Sequence, residues 1–123
     1  MCVFCHIYRE KDKVIMENDH AFAMYDGFPV TPGHTLIMPI RHVSSFFDLS
    51  DIERHAILDL IDDMKSVLDG RLAPDGYNIG VNIGEAAGQT IGHCHVHLIP
   101  RTKGDTENPR GGVRGVIPSK QSY

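Results

Sequence analysis

The sequence predicts an α+β protein, and three features of it carry the prediction. Short apolar runs bounded by glycine, proline and polar residues are typical of strands. A longer segment between them repeats apolar residues at helical spacing. Residues 93–100 alternate histidine with apolar residues, which is the period of a strand. At 123 residues the chain can bury one hydrophobic core but not two, so we expect one domain over residues 1–123.

The first strands lie before residue 40. Two runs, 14–17 and 20–25, flank polar turn residues and predict a β-hairpin. Residues 26–33 are rich in glycine and proline and predict a loop, after which residues 34–39 predict a third strand. The loop therefore delivers His34 to the start of that strand.

One long helix is predicted to begin at Ser50. Ser50 and Glu53 have the spacing of a capping box. Apolar residues then recur every three or four positions from Ile52 onward, and Gly70 predicts the end of the helix. We interpret the helix as scaffold, because its apolar stripe holds no polar residue, and His55, off the stripe, as a surface residue.

The histidine segment is predicted to pair with the run before it. Residues 77–83 alternate cleanly, and a short loop joins them to residues 93–100, so the two strands should be antiparallel neighbours. On such a strand His93, His95 and His97 share one face, and the apolar residues between them turn toward the core.

Three imidazoles in one row indicate chemistry, because imidazole serves as nucleophile, acid, base or metal ligand near neutral pH. One catalytic metal bound by all three is an alternative. Same-face neighbours on a strand lie about 6–7 Å apart, however, which is a long row for one ion. We favour a neutral imidazole that attacks the phosphorus of a phosphate ester. The loop before the histidines fits phosphate, because Gly88, Gln89 and Thr90 offer backbone N–H groups, an amide and a hydroxyl.

Composition argues against two classes of partner. The formal net charge of −4 at pH 7 does not suit a general nucleic-acid binder. No apolar run approaches the roughly 20 residues that cross a bilayer, and the N-terminus lacks the apolar stretch of a signal peptide. We therefore expect a cytoplasmic protein with no nucleic-acid and no membrane partner.

The three cysteines argue against a disulfide framework, because their number is odd. Cys2 and Cys5 form a C-x-x-C pair, which in a reducing compartment is a metal clip or a redox pair. A redox pair opens a helix in a βαβ unit, and the hydrophilic residues 9–13 do not resemble one. We therefore favour a metal.

Together these motifs resemble the histidine triad (HIT) family of nucleotidyl hydrolases and transferases. The resemblance covers nearly the whole chain. It includes Cys2-Val3-Phe4-Cys5, Pro32-Gly33-His34-Thr35-Leu36, Arg41-His42, Ala87-Gly88-Gln89-Thr90, the histidine segment and Pro100-Arg101-x-x-Gly104-Asp105. It implies the HIT fold, with about five antiparallel strands packed on one long and one or more short helices. It also implies a homodimer that acts on a purine nucleotide.

The resemblance assigns roles to individual residues. His95 is implied to be the nucleophile, with His97 supporting it and His34 orienting the triad. Asp26 corresponds to the residue that holds the ribose hydroxyls, and Asn82, Gly88, Gln89 and Thr90 correspond to phosphate contacts. Phe4, Ile7 and Met24 match positions that line the purine pocket, although apolar residues near an N-terminus equally suit core packing.

The resemblance also supplies the rest of a metal site. Cys2 and Cys5 need two further ligands for a tetrahedral zinc, and the family's pattern places His42 and His93 there. Two cysteines and two histidines close the coordination shell, so we expect one structural zinc per chain.

The substrate divides the family between dinucleoside polyphosphates and nucleoside phosphoramidates. Arg101, Lys103, Arg110 and Arg114 lie in the polar C-terminal tail, residues 101–123, which we expect over or near the active site. We favour a purine dinucleoside polyphosphate on these cations, although a solvated basic tail is the plain alternative. A nucleotide-binding module without catalysis is the alternative of another class.

Overall fold

The computed structural model describes residues 2–123 and confirms an α+β fold with an open antiparallel sheet. Five strands take the order β1-β2-β3-β5-β4, and every pair is antiparallel. The helices and strands are α1 Val3–Glu10, β1 Met16–Glu17, β2 Ala21–Tyr25, β3 Thr35–Pro39, α2 Asp51–Leu72, β4 Gly76–Val81 and β5 Val96–Arg101. The predicted hairpin is β1–β2, and the predicted pairing of the histidine segment with its predecessor is β4–β5. No described helix is long and apolar enough to cross a membrane.

The sheet has a different helix on each face. Alternate residues of the strands, such as Ala23, Ile37 and Val96, pack with the buried stripe of α2 in the larger core cluster. The opposite residues, such as Met24 and Leu36, pack with α1 in a smaller cluster. Because successive strand side chains point to opposite faces, the two-residue period decides which core each residue joins.

Helix α2 begins as predicted and ends later than predicted. The Ser50 side chain accepts from the Glu53 backbone, and the Glu53 carboxylate accepts from the Ser50 backbone, which completes the capping box. Gly70 as the end was wrong: the helix continues to Leu72, and Ala73 adopts the left-handed conformation after it. The buried apolar stripe of the helix also begins later than predicted, since Ile52 in the first turn is 62% exposed.

Helix α1 is one of the short helices that the resemblance implies, but the residue pattern did not place it. Cys2 precedes it as the N-cap, and Phe4 and Ile7 are buried on one side of it. The hydrophilic residues 9–13 are the last turn of this helix and the turn after it. The C-x-x-C pair therefore does open a helix, but an antiparallel hairpin follows and no βαβ unit forms.

Two other segments differ from their predictions. The histidine segment is regular only from Val96, so His93 lies in a bend before β5 and His95 directly precedes the strand. The C-terminal tail, predicted without regular structure, contains short 3-10 turns at Gly112–Val116 and Pro118–Lys120.

The ion pair between Arg41 and Glu53 yields a pH prediction. Arg41 donates to both carboxylate oxygens of Glu53, at 2.8 and 3.0 Å, and the Glu53 side chain is only 7% exposed. These hydrogen bonds lower the pKa of Glu53 to about 2, although burial opposes the shift. A lowered folded-state pKa stabilises the protein above the unfolded-state pKa, and the contribution disappears as the pH falls toward 2.

We expect Glu53→Gln to lower the free energy of unfolding by about 1–3 kcal/mol at pH 7 and by almost nothing near pH 2. Urea unfolding of both proteins across this pH range measures the difference, and a difference independent of pH would contradict the assignment. Gln keeps the capping box, so the comparison isolates the charge.

Candidate functional site

The three histidines of the triad lie on the face of the sheet that carries α1. His97 lies opposite Leu36 of β3 and Gly80 of β4. His93 is fully buried, His95 is 8% exposed, and the ring centroids of His95 and His97 are 5.2 Å apart. The predicted division of faces is therefore observed, although the first two histidines precede the strand.

Backbone geometry determines the tautomer of His95. Its Nδ1 lies 2.8 Å from the carbonyl oxygen of His93. Because a carbonyl oxygen only accepts, Nδ1 carries the proton, and Nε2 keeps a free lone pair. The Phe4 ring lies edge-on at 5.1 Å and restricts the imidazole from the side of α1. This arrangement suits a neutral nucleophile.

His34 and His97 form a second ordered pair. The Val30 N–H donates to His34 Nδ1 at 3.0 Å, so the proton of neutral His34 is on Nε2. That N–H donates to His97 Nδ1 at 2.9 Å, which leaves the proton of His97 on Nε2. Burial lowers the pKa of both histidines, and for His97 the neighbouring histidines lower it further. Both rings are therefore neutral at pH 7.

The carboxylate of Asp26 completes this group. Its Oδ2 lies 3.4 Å from His34 Nε2, and its Oδ1 accepts from the Phe28 backbone. Asp26, His34 and His97 offer ligand atoms within 4.8 Å of one another. A metal on His34 Nε2 would require the proton on Nδ1, where the Val30 N–H already donates. The hydrogen bonds therefore disfavour a metal at this position.

Cys2, Cys5, His42 and His93 meet as a four-residue cluster whose ligand atoms all lie within 4.8 Å of one another. His93 Nδ1 lies 3.5 and 3.6 Å from the two sulfur atoms, and His42 Nδ1 lies 3.4 Å from Cys5 Sγ. Zn–S bonds of about 2.3 Å and Zn–N bonds of about 2.0 Å at the tetrahedral angle separate sulfur and nitrogen by roughly 3.5 Å. The cluster could therefore hold a metal ion.

The protonation of His93 supports this use. Its Nε2 lies 2.8 Å from the Pro39 carbonyl oxygen, so Nε2 carries the proton and Nδ1 offers its lone pair to the cluster. A single metal on all three triad histidines does not fit this geometry. His93 Nδ1 faces the sulfur atoms, His95 Nδ1 faces a carbonyl oxygen, and His97 Nδ1 faces His34.

A cleft of about 560 Å³ opens beside His97. Strands β4 and β5 form one wall, and residues 112–116 of the tail form another. Most of its side chains are apolar, namely Val30, Ile79, Val81, Ile99, Val113 and Val116. Its polar side chains are His34, His97, Asn78 and Asn82. Among residues 2–123, none that lines the cleft is an acidic residue, a lysine or an arginine.

The predicted phosphate contacts are separated in space. The Asn82 amide lines the cleft and has no hydrogen-bond partner within residues 2–123. Thr90 instead lines a cavity beside Cys2 and His42. The Gln89 amide is occupied by three backbone groups. Gly88 adopts a left-handed φ of 89° that disfavours any side chain there.

The predicted purine-pocket residues are buried. Phe4, Ile7 and Met24 are each less than 9% exposed and pack with Phe22, Leu36 and Met38. Core packing thus accounts for their positions, and contact with a base stays a prediction. Asn78 and Val113, which line the cleft, were not singled out from the sequence. Strand period would have found Asn78, because it shares a face with His97.

The cations of the tail are largely engaged within the chain. Arg101 donates to both oxygens of Asp105 and to Asn78. Arg114 donates to the carbonyl oxygens of Lys120 and Gln121, and it lies 4.7 Å from the centroid of the Tyr123 ring. Arg110 lies over the same ring at 5.2 Å. These contacts tie the tail together and leave Arg101 and Arg114 little capacity for a polyphosphate.

Comparisons with known proteins agree with this architecture. The family model of the HIT domain matches residues 9–104, and the chain belongs to the HIT family. An uncharacterized HIT-like protein of Saccharolobus solfataricus is 34% identical over 100% of this chain and 90% of its own length. A Zn-bound histidine triad family protein of Mycobacterium smegmatis superposes with a TM-score of 0.78 at 32% identity, covering 87% of this chain and 79% of that one.

Two relatives carry named activities. The AP-4-A phosphorylase of Mycobacterium tuberculosis is 33% identical over 78% of this chain and 50% of its own length. The bis(5'-adenosyl)-triphosphatase of Dictyostelium discoideum is 34% identical over 80% of this chain and 66% of its own length.

Proposed function

We propose that this protein is a nucleotidyl hydrolase that cleaves the α-phosphate linkage of purine nucleotides through a covalent intermediate on His95. The observation that carries the proposal is the hydrogen bond from His95 Nδ1 to the His93 carbonyl oxygen. It fixes the proton of the neutral ring on Nδ1 and so places the lone pair on Nε2, which is the tautomer that attacks phosphorus. Relatives named for nucleotide cleavage support the same class of reaction.

The first step transfers the nucleotidyl group to His95. Nε2 attacks the α-phosphorus, the N–P bond forms, and the bond to the leaving group breaks with its electron pair. His97 carries its proton on Nε2, as its hydrogen bond from His34 requires, and donates a hydrogen bond to the leaving group while keeping that proton. A leaving phosphate departs as an anion, and a leaving amine takes its proton from water. Asn82 offers an uncommitted amide N–H to a phosphate oxygen.

The second step releases the nucleotide. Water attacks the phosphorus, one of its protons stays on the released phosphate and the other passes to solvent, and the N–P electron pair returns to His95 Nε2. His34 keeps His97 in one tautomer through both steps, and the Asp26 carboxylate, with Oδ2 3.4 Å from His34 Nε2, helps to hold His34 in place. A ribose contact for Asp26 remains compatible with this role.

We also propose that the four-residue cluster holds one structural zinc per chain. Its donor set is complete without water, and the Zn-bound relative supports the choice of metal. A homodimer is proposed as well, because β4 lies at the open edge of the sheet, where its backbone can pair with a second copy. Light scattering of the purified protein tests it, and a monomer at all concentrations would contradict it.

Two substrate classes follow from different observations. The relatives' names support a purine dinucleoside polyphosphate. The apolar cleft beside His97 favours the alternative, a nucleoside phosphoramidate, because no lysine or arginine lines it among residues 2–123. We retain the polyphosphate as the first proposal and the phosphoramidate as the second.

A comparison of kcat/KM for diadenosine tri- and tetraphosphate against an adenosine phosphoramidate separates them. If the polyphosphate is the substrate, changing Arg110, whose guanidinium donates to no acceptor among residues 2–123, to alanine should lower its kcat/KM by about 10-fold, with little effect on the phosphoramidate. Preference for the phosphoramidate, without selective loss in the variant, would assign the protein to the second class.

A further inference from the structure

Three consecutive residues between β3 and α2 each attach to a different part of the site. The side chain of His42 belongs to the four-residue cluster, with Nδ1 3.4 Å from Cys5 Sγ. The carbonyl oxygen of Val43 accepts from the Cys94 N–H at 2.6 Å, between two triad histidines. The carbonyl oxygen of Ser44 accepts from the Gln89 side chain at 2.9 Å. Residues 42–44 therefore connect the cluster to two segments that surround the nucleophile.

Gln89 is the connection to the loop before the triad. Its Oε1 accepts from the Gly84 N–H at 2.9 Å, and its Nε2 donates to Ser44 and to the Ile91 carbonyl oxygen at 3.0 Å. Both N–H groups and the acceptor of the amide are thus in use. Gln89 joins the two ends of loop 84–91 to residues 42–44, and it has no donor left for a phosphate oxygen.

This loop depends on the side chain for its attachment. Its shape needs left-handed glycines, since Gly84 and Gly88 both have φ of 89°. Within residues 2–123, no other hydrogen bond joins loop 84–91 to residues 42–44. The loop begins two residues after Asn82 at the cleft and ends two residues before His93 in the cluster. Its position relative to both sites therefore depends on Gln89.

We propose that Gln89 is a positioning residue that couples the four-residue metal cluster to the nucleotide cleft. A metal held by His42 and His93 immobilises residues 42–44. Because Gln89 joins these residues to loop 84–91, the loop is immobilised as well, and with it the position of Asn82. This role replaces the phosphate contact that the resemblance implies for Gln89. This proposal rests on the proposed function only in the part of the test that measures nucleotide binding.

The test uses the full chain loaded with Co²⁺, whose absorption bands report its thiolate and imidazole ligands. The variant is Gln89→Met, which keeps the length of the side chain and removes its hydrogen bonds. Glu85→Ala, an exposed change in the same loop, is the matched control. Hydrogen exchange of the amides in loop 84–91 is measured with and without Co²⁺, and AMP is then added.

In the wild type and in Glu85→Ala, we expect Co²⁺ to slow exchange of the loop amides by about 10-fold or more, and AMP to shift the Co²⁺ bands. In Gln89→Met, Co²⁺ should remain bound while loop exchange becomes about 10-fold faster and independent of the metal. AMP should bind about 10-fold more weakly and leave the bands unchanged.

Two results would overturn the coupling. In the first, Co²⁺ does not change the exchange rates of the loop amides in the wild type. In the second, Gln89→Met loses AMP binding although its loop amides exchange as slowly as in the wild type. The second result would restore Gln89 as a phosphate ligand. Failure of the wild type to bind Co²⁺ would also overturn it. If the wild type does not bind AMP, the proposed function fails, while the exchange comparison still decides the coupling.

Discussion

Replacing His95 with alanine is expected to abolish turnover and to leave nucleotide binding nearly intact. The change removes the lone pair that attacks phosphorus, and both steps of the reaction need it. Loss of a covalent nucleophile lowers kcat by about 10⁴-fold or more, whereas the contacts from the cleft persist. Rapid mixing with a fluorogenic AMP ester should show a burst of one leaving group per site in the wild type and none in His95→Ala.

A surface histidine supplies the matched control. His55 is exposed on α2 and contacts none of the triad, so His55→Ala should keep the burst and the steady-state rate. AMP affinity, measured by calorimetry, separates lost chemistry from lost folding. A His95→Ala protein that turns over near the normal rate would exclude His95 as the nucleophile. If both the wild type and the variant bind AMP and neither shows a burst, the result would favour the non-catalytic module.

Removing the metal cluster is expected to have the second large effect. We expect purified protein to carry close to one zinc per chain and the Cys2→Ser, Cys5→Ser double variant to carry almost none. Metal binding by a four-ligand site contributes directly to the free energy of folding, so the variant should lose about 10 °C or more in Tm. Elemental analysis and thermal unfolding of untagged protein measure both quantities.

Cys94 provides the control for loss of a thiol. It is buried in the core cluster, burial raises the pKa of its thiol to about 11, and it lies outside the four-residue cluster. Cys94→Ala should therefore keep the zinc and lose only the stability of its core contacts. A double variant that retains both metal content and Tm would show that Cys2 and Cys5 do not bind the metal.

Several features of the site were predictable because they depend on neighbouring residues. The alternation from His93 to His97 determines which side chains share a face, since the period of extended chain is local. The capping box at Ser50 is likewise a property of four consecutive residues. The metal ligands were reached through resemblance to the HIT family, and the chain indeed brings them together.

Other features depend on contacts between distant parts of the chain. The residue pattern did not place helix α1 because its short apolar face, Phe4 and Ile7, is recognisable as a face only once the sheet lies beneath it. Gln89 was interpreted as a phosphate contact because its sequence position suits one. Its partner Ser44 lies 45 residues away, and no local pattern reports that hydrogen bond.

The sequence by itself determined the fold class, the shared face of the triad and the C-x-x-C half of the metal cluster, because strand period, helix capping and ligand spacing are properties of short segments. Only the tertiary structure decided which proton each imidazole carries. That choice depends on carbonyl and imidazole partners, such as His34 against His97, which are 63 residues apart. The tertiary structure also decided that the guanidinium groups of Arg101 and Arg114 form hydrogen bonds within the tail, because a guanidinium donates to whichever acceptors folding brings within reach.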